Sequence, residues 1–228
     1  MLRLVISTLV SGLLFTALIM GPGYAFTGTL DWVRGWVAVG ACVTTSAIGG
    51  VYFLLTDPGL VRERAKAPRT QTLADAFATL FIVVVVVAFC AAAVYDSRRL
   101  QLLTLPPDAS LAAGVIIFAT GIGIIVWTFR VNSFATTIVE VQESRNQRVI
   151  DTGPYRFVRH PMYSGAIWYF AGIALMLESP ASALGAIVIF PLAFLTRMLV
   201  EEAVLRRDLE GYADYMSRVR TRILPGIF

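Results

Sequence analysis

Runs of apolar residues long enough to cross a lipid bilayer recur along this chain, and no other feature of the sequence limits its fold as much. Leu4 to Met20, Val33 to Leu55, Leu73 to Tyr95 and Ala109 to Phe129 are each near the ~20 helical residues that span a hydrocarbon layer of ~30 Å. The charges inside them are Arg34 and Asp75, both near the ends of their runs. After a polar stretch from Arg130 to Arg159 come Tyr163 to Leu177 and Ala181 to Val200, separated by Glu178, Ser179 and Pro180. This last pair predicts a tight helical hairpin. Its first arm rises only ~22 Å, which is short for a full crossing. The expected fold is all-α: a polytopic membrane protein with six transmembrane helices, or five if the short arm does not cross, ending in a C-terminal hairpin and a cytoplasmic amphipathic tail. Composition agrees, since 57% of the residues are hydrophobic, 15% are charged and the mean hydropathy is +0.73, outside the balance of a soluble domain.

The first run follows Met1-Leu2-Arg3 and precedes small residues near Tyr24-Ala25, the order of a secretory signal. A single charge is a weak signal start, and the run exceeds the roughly 7–15 residues of a signal core. It reads as a membrane helix. Of the 19 Lys and Arg, all but Arg34, Arg98 and Arg99 fall on one side if six segments cross, which predicts that both termini are cytoplasmic. The same asymmetry explains the net charge of +4 through anionic headgroups rather than nucleic acid. All but one of those 19 are Arg, a bias of GC-rich bacterial sources, so the expected location is a bacterial inner membrane. Cys42 and Cys90 sit inside apolar runs, where a thiol behaves as a small apolar group. With one His in the chain, no metal site is expected.

The chain divides into N-terminal transmembrane helices, residues 1–129, and a C-terminal region, residues 130–228, within one membrane domain. Polar residues converging from Arg130–Arg159 and Glu201–Phe228 onto one side are where chemistry is expected. Asp151-Thr152-Gly153-Pro154 is a turn cluster, and His160-Pro161 opens the hairpin with proline at a first helical position. The N–H groups of Met162, Tyr163 and Ser164 are then predicted to point out of the helix start, ready to hold a carboxylate or phosphate. Gly121-Ile-Gly123 lacks the third glycine and the preceding strand of a nucleotide loop and reads as close helix packing, as do Gly165 and Gly172.

The stretch from Asp151 through Gly-Pro-Tyr-Arg-Phe-Val-Arg-His-Pro-Met-Tyr-Ser to Gly165, then Arg197-Met-Leu-Val-Glu201-Glu202 and the tail Gly211-Tyr-x-x-Tyr215, resembles the isoprenylcysteine carboxyl methyltransferase family and the related membrane phospholipid methyltransferases. The likeness covers roughly the last hundred residues and is specific in order and spacing. It implies an integral membrane methyltransferase that takes S-adenosyl-L-methionine in a pocket of C-terminal helices, without a Rossmann domain, and methylates a lipophilic or lipid-like acceptor. It assigns Tyr155, His160, Pro161, Met162, Tyr163 and Glu201 to the cofactor and Arg197 to the acceptor. Where the family has a His-x-Leu-Val segment this chain has Gln147-Arg148-Val149-Ile150, so Gln147, Val149 and Ile150 are carried over with a changed polar lead. An upstream family Gln falls at Glu140, or at Gln142 with a local shift.

The chemistry of such a cofactor points to the same residues. A zwitterion with a sulfonium wants donors for its carboxylate, an acceptor for its amine or ribose, and an electron-rich wall near sulfur. The helix start at Pro161 offers the first, Glu201 the second, and Tyr155, Tyr163, Trp168 or Tyr169 the third. Catalysis would then consist of alignment and desolvation. Arg197 favours an anionic acceptor, hence carboxyl O-methylation, over a phospholipid amine. Taken singly, Arg197 and Glu201 could merely pair across one helical turn, and the tyrosines could form an interfacial belt. Glu202, turned about 100° from Glu201, serves as its control. A sterol-reductase-type enzyme using a nicotinamide cofactor is the main competing enzyme. A transporter is disfavoured, because no charge sits mid-run and no pair of broken helices marks a midplane site.

A topology reporter fused after Phe228 is expected to signal the cytoplasmic side; activity only outside the cytoplasm overturns the orientation.

Overall fold

The computed structural model describes residues 2–64, 72–136 and 141–226; Glu140 and Phe228, named above, and Lys66 and Arg69 of the basic count lie outside the described residues. The described helices are α1 (Leu2–Thr27), α2 (Val33–Thr56), α3 (Pro58–Arg64), α4 (Leu73–Tyr95), α5 (Pro107–Val131), α6 (Pro161–Met176), α7 (Pro180–Asp208) and α8 (Tyr212–Arg218). Proline opens α3, α5, α6 and α7, at the position where a missing N–H is harmless. Thr72 caps α4 by accepting from the Asp75 N–H, and Ser179 caps α7 by accepting from Ser182.

Among the described residues, five helices are long and apolar enough to cross a membrane: α1, α2, α4 with its π-helical continuation to Leu100, α5 and α7. The sixth segment, α6, has only 16 residues and rises ~24 Å. Neighbouring helices bury most of it, including Ile167, Ile173, Ala174 and Met176. The long helices instead expose leucine, valine and isoleucine, with Leu13 at 73%, Ile116 at 65% and Leu192 at 64%, as surfaces facing lipid do. The chain is an all-α integral membrane protein.

Contacts at helix ends show that α1, α2, α4, α5, α6 and α7 alternate in direction. At one end Arg34 pairs with Glu178 at 3.3 Å, the Ser179 hydroxyl donates to Asp96, the Ser110 hydroxyl donates to the Leu175 carbonyl, and Phe26 meets Tyr95 edge-on. Arg98 lies over the Trp32 ring and Arg99 donates to the Phe26 carbonyl at that same end. At the other end Asp75 meets Arg197 and Arg64 lies over Phe129. The three basic residues separated by the sequence reading thus share the end opposite the polar segments.

The tightest seam joins α5 to α6. A Cβ on Gly114 would lie 2.6 Å from the Met176 nitrogen, on Gly121 2.5 Å from that of Tyr169, and on Gly172 2.4 Å from that of Phe118. Only glycine allows the two backbones to approach so closely. Gly165 joins them, 2.8 Å from the Gly121 carbonyl, whereas Gly123 faces open space. The expected packing role therefore belongs to Gly121 and not to Gly123.

Beyond its apolar run α7 continues to Asp208, so Arg197 stands ~16 Å before its terminus and Glu201 and Glu202 share its helix, as expected. The tail differs from expectation: it is not only a surface amphipath, because after α8 it turns back and buries Ile223 completely.

Gly172→Ala is expected to lower the thermal midpoint in detergent, at a stability loss of about 1–3 kcal/mol for overpacking. Gly123→Ala should leave it unchanged or raise it; equal effects would show that the seam is looser than these distances imply.

Candidate functional site

At the polar end a cavity of about 900 Å³, counting its open mouth, is bounded by the segment after α5, residues 147–155, the start of α6, the last turns of α7 and α8. Every residue that the sequence reading assigned to cofactor or acceptor lines it: Gln147, Val149, Ile150, Tyr155, His160, Pro161, Met162, Tyr163, Arg197 and Glu201. Trp168 and Tyr169 do not. Tyr169 lies against Phe118 of α5, with ring centroids 4.8 Å apart, because it stands two turns of α6, ~10 Å, deeper in the bundle than cavity-lining Met162. Of the two upstream candidates, Gln142 is buried outside the cavity. Its amide donates to the Phe134 carbonyl at 2.7 Å and its oxygen accepts from Arg145 at 2.6 Å, so it props the loop. Glu140 lies outside the described residues.

His160 is the residue before α6, as expected, but the helix start offers fewer donors than predicted. The N–H groups of Tyr163 and Ser164 both point to the His160 carbonyl, at 3.1 and 3.3 Å. A helix started by His-Pro closes its first turn on that carbonyl, leaving Met162 as the remaining donor of the three. The imidazole is committed through Nε2 to Glu202 Oε1 at 3.1 Å, while Nδ1 lies 3.9 Å from Glu201 Oε2.

Glu201 and Glu202 divide the work of neighbouring carboxylates. The Glu201 side chain is 32% exposed, toward the cavity, and that of Glu202 is 6% exposed. Glu202 accepts from Arg159 Nε at 2.8 Å, from His160 and from Arg222 Nε at 3.2 Å. Arg159 in turn donates to the Val219 and Arg220 carbonyls, and the backbone N–H groups of Arg159 and His160 donate to those of Thr221 and Arg222. The Ser164 hydroxyl reaches the Ile223 carbonyl. One carboxylate therefore ties α7, the start of α6 and the returning tail together behind the cavity. Glu202 is no neutral control for Glu201; rotation by one residue carried it from the cavity into the protein's polar core.

Arg197 and Glu201 do not pair with each other. Arg197 Nη1 donates to Asp75 Oδ1 of α4 at 2.7 Å and also reaches the Thr79 hydroxyl, while its Nε donates to the Tyr163 hydroxyl at 3.1 Å. Tyr163 in turn faces Glu201 Oε2 at 3.5 Å and stacks on Phe194, centroids 4.6 Å apart. Nor are the tyrosines an interfacial belt: Tyr155, Tyr163, Tyr212 and Tyr215 all turn into the cavity wall.

Asn132, which the sequence did not single out, donates to the Tyr155 hydroxyl at 2.7 Å, and Tyr215 donates to the Tyr155 carbonyl at 2.9 Å. Burial in the wall holds the Tyr155 phenol well above its ordinary range, outweighing the Asn132 bond that pulls the other way, so it stays a protonated donor. Asn132, Asp75 and Arg159 are the site's unforeseen members, and Glu202 takes a part that was not expected of it. Arg159, inside the Arg-His-Pro run, and Glu202, beside Glu201, had a local signal.

Residues 109–210 match the model of a protein family described as Phospholipid methyltransferase. Over 85 residues, 37% of the chain, the sequence is 29% identical to Protein-S-isoprenylcysteine O-methyltransferase B of Arabidopsis thaliana, covering 43% of that protein. Over 83 residues, 36% of the chain, it is 31% identical to Protein-S-isoprenylcysteine O-methyltransferase of Saccharomyces cerevisiae, covering 35% of that protein. The matched region spans less than half the length of these relatives.

Glu202→Ala is expected to destabilise the protein by about 3–5 kcal/mol, because it leaves buried Arg159 without its counter-charge. Denaturation in detergent that distinguishes it from Glu201→Ala supports the division of labour, and equal stability refutes it. The region that builds this cavity is thus similar to a phospholipid methyltransferase family and to protein-S-isoprenylcysteine O-methyltransferases.

Proposed function

We propose that the chain is an S-adenosyl-L-methionine-dependent methyltransferase whose acceptor is a lipophilic molecule with a polar reacting end. The observation that carries this reading is the convergence of Tyr155, His160, Tyr163, Arg197 and Glu201 on one cavity, at the end of a membrane bundle where amphiphiles present their headgroups. The donor set suits the cofactor: a part-exposed carboxylate for its amino or ribose groups, aromatic walls for its adenine and sulfonium, and apolar Val149, Ile150 and Leu205 between them. Met162 N–H and the Tyr155 hydroxyl are donors for a carboxylate. When bound, such a cofactor supplies an electrophilic methyl group.

The protein's part is binding, orientation and exclusion of water. Glu201 anchors the cofactor, while Tyr163, held between Arg197 and Glu201, separates the cofactor side from the acceptor side. Arg197 meets the polar end of the acceptor, and a carboxylate suits a guanidinium best, in line with the names of the relatives. A phospholipid amine is the second reading, favoured by Asp75, which offsets the charge of Arg197. The catalytic region is residues 130–228, framed by the helices before it, with both termini in the cytoplasm and the site facing the cytoplasmic leaflet of a bacterial inner membrane.

Purified protein is expected to bind S-adenosylhomocysteine and not NADPH; the reverse would favour a reductase. Glu201→Ala should weaken S-adenosylhomocysteine binding by about tenfold or more, the loss of a bond to a charged group, with an unchanged thermal midpoint. Unchanged affinity removes Glu201 from the cofactor shell. Arg197→Lys should keep that affinity and lose about 30-fold or more in kcat/KM, since an ammonium does not reproduce the guanidinium fork. Retained turnover would overturn the acceptor role.

A further inference from the structure

Asp75 lies in the first turn of α4, outside the region matched by the family, and it is 1% exposed. Its carboxylate is used on one side only. Oδ1 accepts from Arg197 at 2.7 Å, whereas Oδ2 has no hydrogen-bond partner among the described residues. Buried carboxylates kept for stability alone satisfy both oxygens, because an unpaired buried acceptor costs free energy. This one leaves an oxygen unpaired and spends the other on the guanidinium in the cavity wall. Thr79, one helical turn on, accepts from the same Nη1 and donates its own hydroxyl to the Asp75 carbonyl at 2.8 Å. Asp75 and Thr79 thus grip one corner of the Arg197 guanidinium. Tyr163 holds its Nε edge.

We propose that Asp75 is a positioning residue for the acceptor: it fixes the plane of the Arg197 guanidinium and offsets its charge, giving up acceptor affinity for alignment. A guanidinium on a long, flexible stem would otherwise swing toward an incoming anion and bind it in several poses, few of which place the reacting oxygen in line. With Asp75 in place Arg197 meets the acceptor as an oriented donor, and an anion gains less from its charge. A purely structural Asp75 would change how much protein folds and leave the affinity of the folded protein for an acidic acceptor alone. A positioning Asp75 moves acceptor binding and turnover in opposite directions. This inference rests on the reading of the cavity as a methyltransferase site with an acidic acceptor.

The test compares wild type, Asp75→Asn and Thr79→Val, reconstituted in lipid nanodiscs, with S-adenosylhomocysteine as the cofactor-site probe and N-acetyl-S-farnesylcysteine as the acidic acceptor. Asp75→Asn preserves shape and a neutral hydrogen bond. It is expected to leave S-adenosylhomocysteine affinity within about twofold, to lower kcat about tenfold, and to lower KM for the acid severalfold as the charge of Arg197 is no longer offset. If wild type binds the acid without methylating it, the dissociation constant replaces KM, and tighter binding by Asp75→Asn is the supporting result. Should Asp75→Asn not fold, Thr79→Val, which removes a grip without removing a charge, is expected to lower kcat at unchanged KM. For Asp75→Asn, acceptor constants equal to wild type overturn the inference, and for Thr79→Val an unchanged kcat does; a parallel loss of cofactor and acceptor affinity in either variant overturns it as well. A wild type that binds S-adenosylhomocysteine but neither binds nor methylates the acid overturns the acidic-acceptor reading and the inference with it, whereas a wild type that fails to bind S-adenosylhomocysteine overturns the methyltransferase reading itself.

Discussion

The carboxylate of Glu202 is the joint on which this site hangs. It receives Arg159, His160 and Arg222, and through Arg159 it holds the backbone of the returning tail. No apolar residue could do this, because each of the three segments brings polar groups that need a partner once water is excluded. His160 is oriented from behind by the same carboxylate, which leaves the opposite edge of its ring toward Glu201 and the cavity. The cavity therefore has a rigid rear wall, although its front is built largely from irregular backbone.

A second constraint lies deeper in the bundle. The glycines of α5 and α6 bring two backbones into contact, which fixes the height at which α6 begins and hence the height of His160 and Tyr163. Because α5 ends at Val131 and leads directly into Asn132, the same seam sets the distance between Asn132 and Tyr155. Packing thus positions the site from below, while the Glu202 joint positions it from behind. The Arg197–Asp75 pair adds a lateral tie, between α7 and α4.

What could be read from the residues follows from how local each signal is. The membrane helices were readable because apolar length is written in consecutive positions, and the His160-Pro161 start because proline marks it. Arg197 and Glu201 were found at the cavity because their spacing from His160 resembles a known pattern. Asp75 was seen only as a charge near a run end: its partner lies 122 positions away, and nothing local names it. Glu202 was judged by its angle around the helix, which says where a side chain does not point and is silent on what it meets instead. The same blindness misplaced Trp168 and Tyr169, whose residue types suited the chemistry but which stand two turns of α6 deeper in the bundle than the cavity. The apolar run to Val200 marked the part of α7 inside the apolar layer, while the two further turns to Asp208 carry charge and left no such mark.

The returning tail has a consequence for how the protein is made. Residues 219–224 complete the rear wall, contributing Arg222 to the Glu202 joint and Ile223 to the apolar core. Synthesis runs from the N-terminus, so the membrane helices described above leave the ribosome before these residues do. A nascent chain with those helices inserted still lacks the finished cavity. The pocket is thereby completed only after the bundle that frames it, and a chain interrupted before this segment would carry the helices without the rear wall.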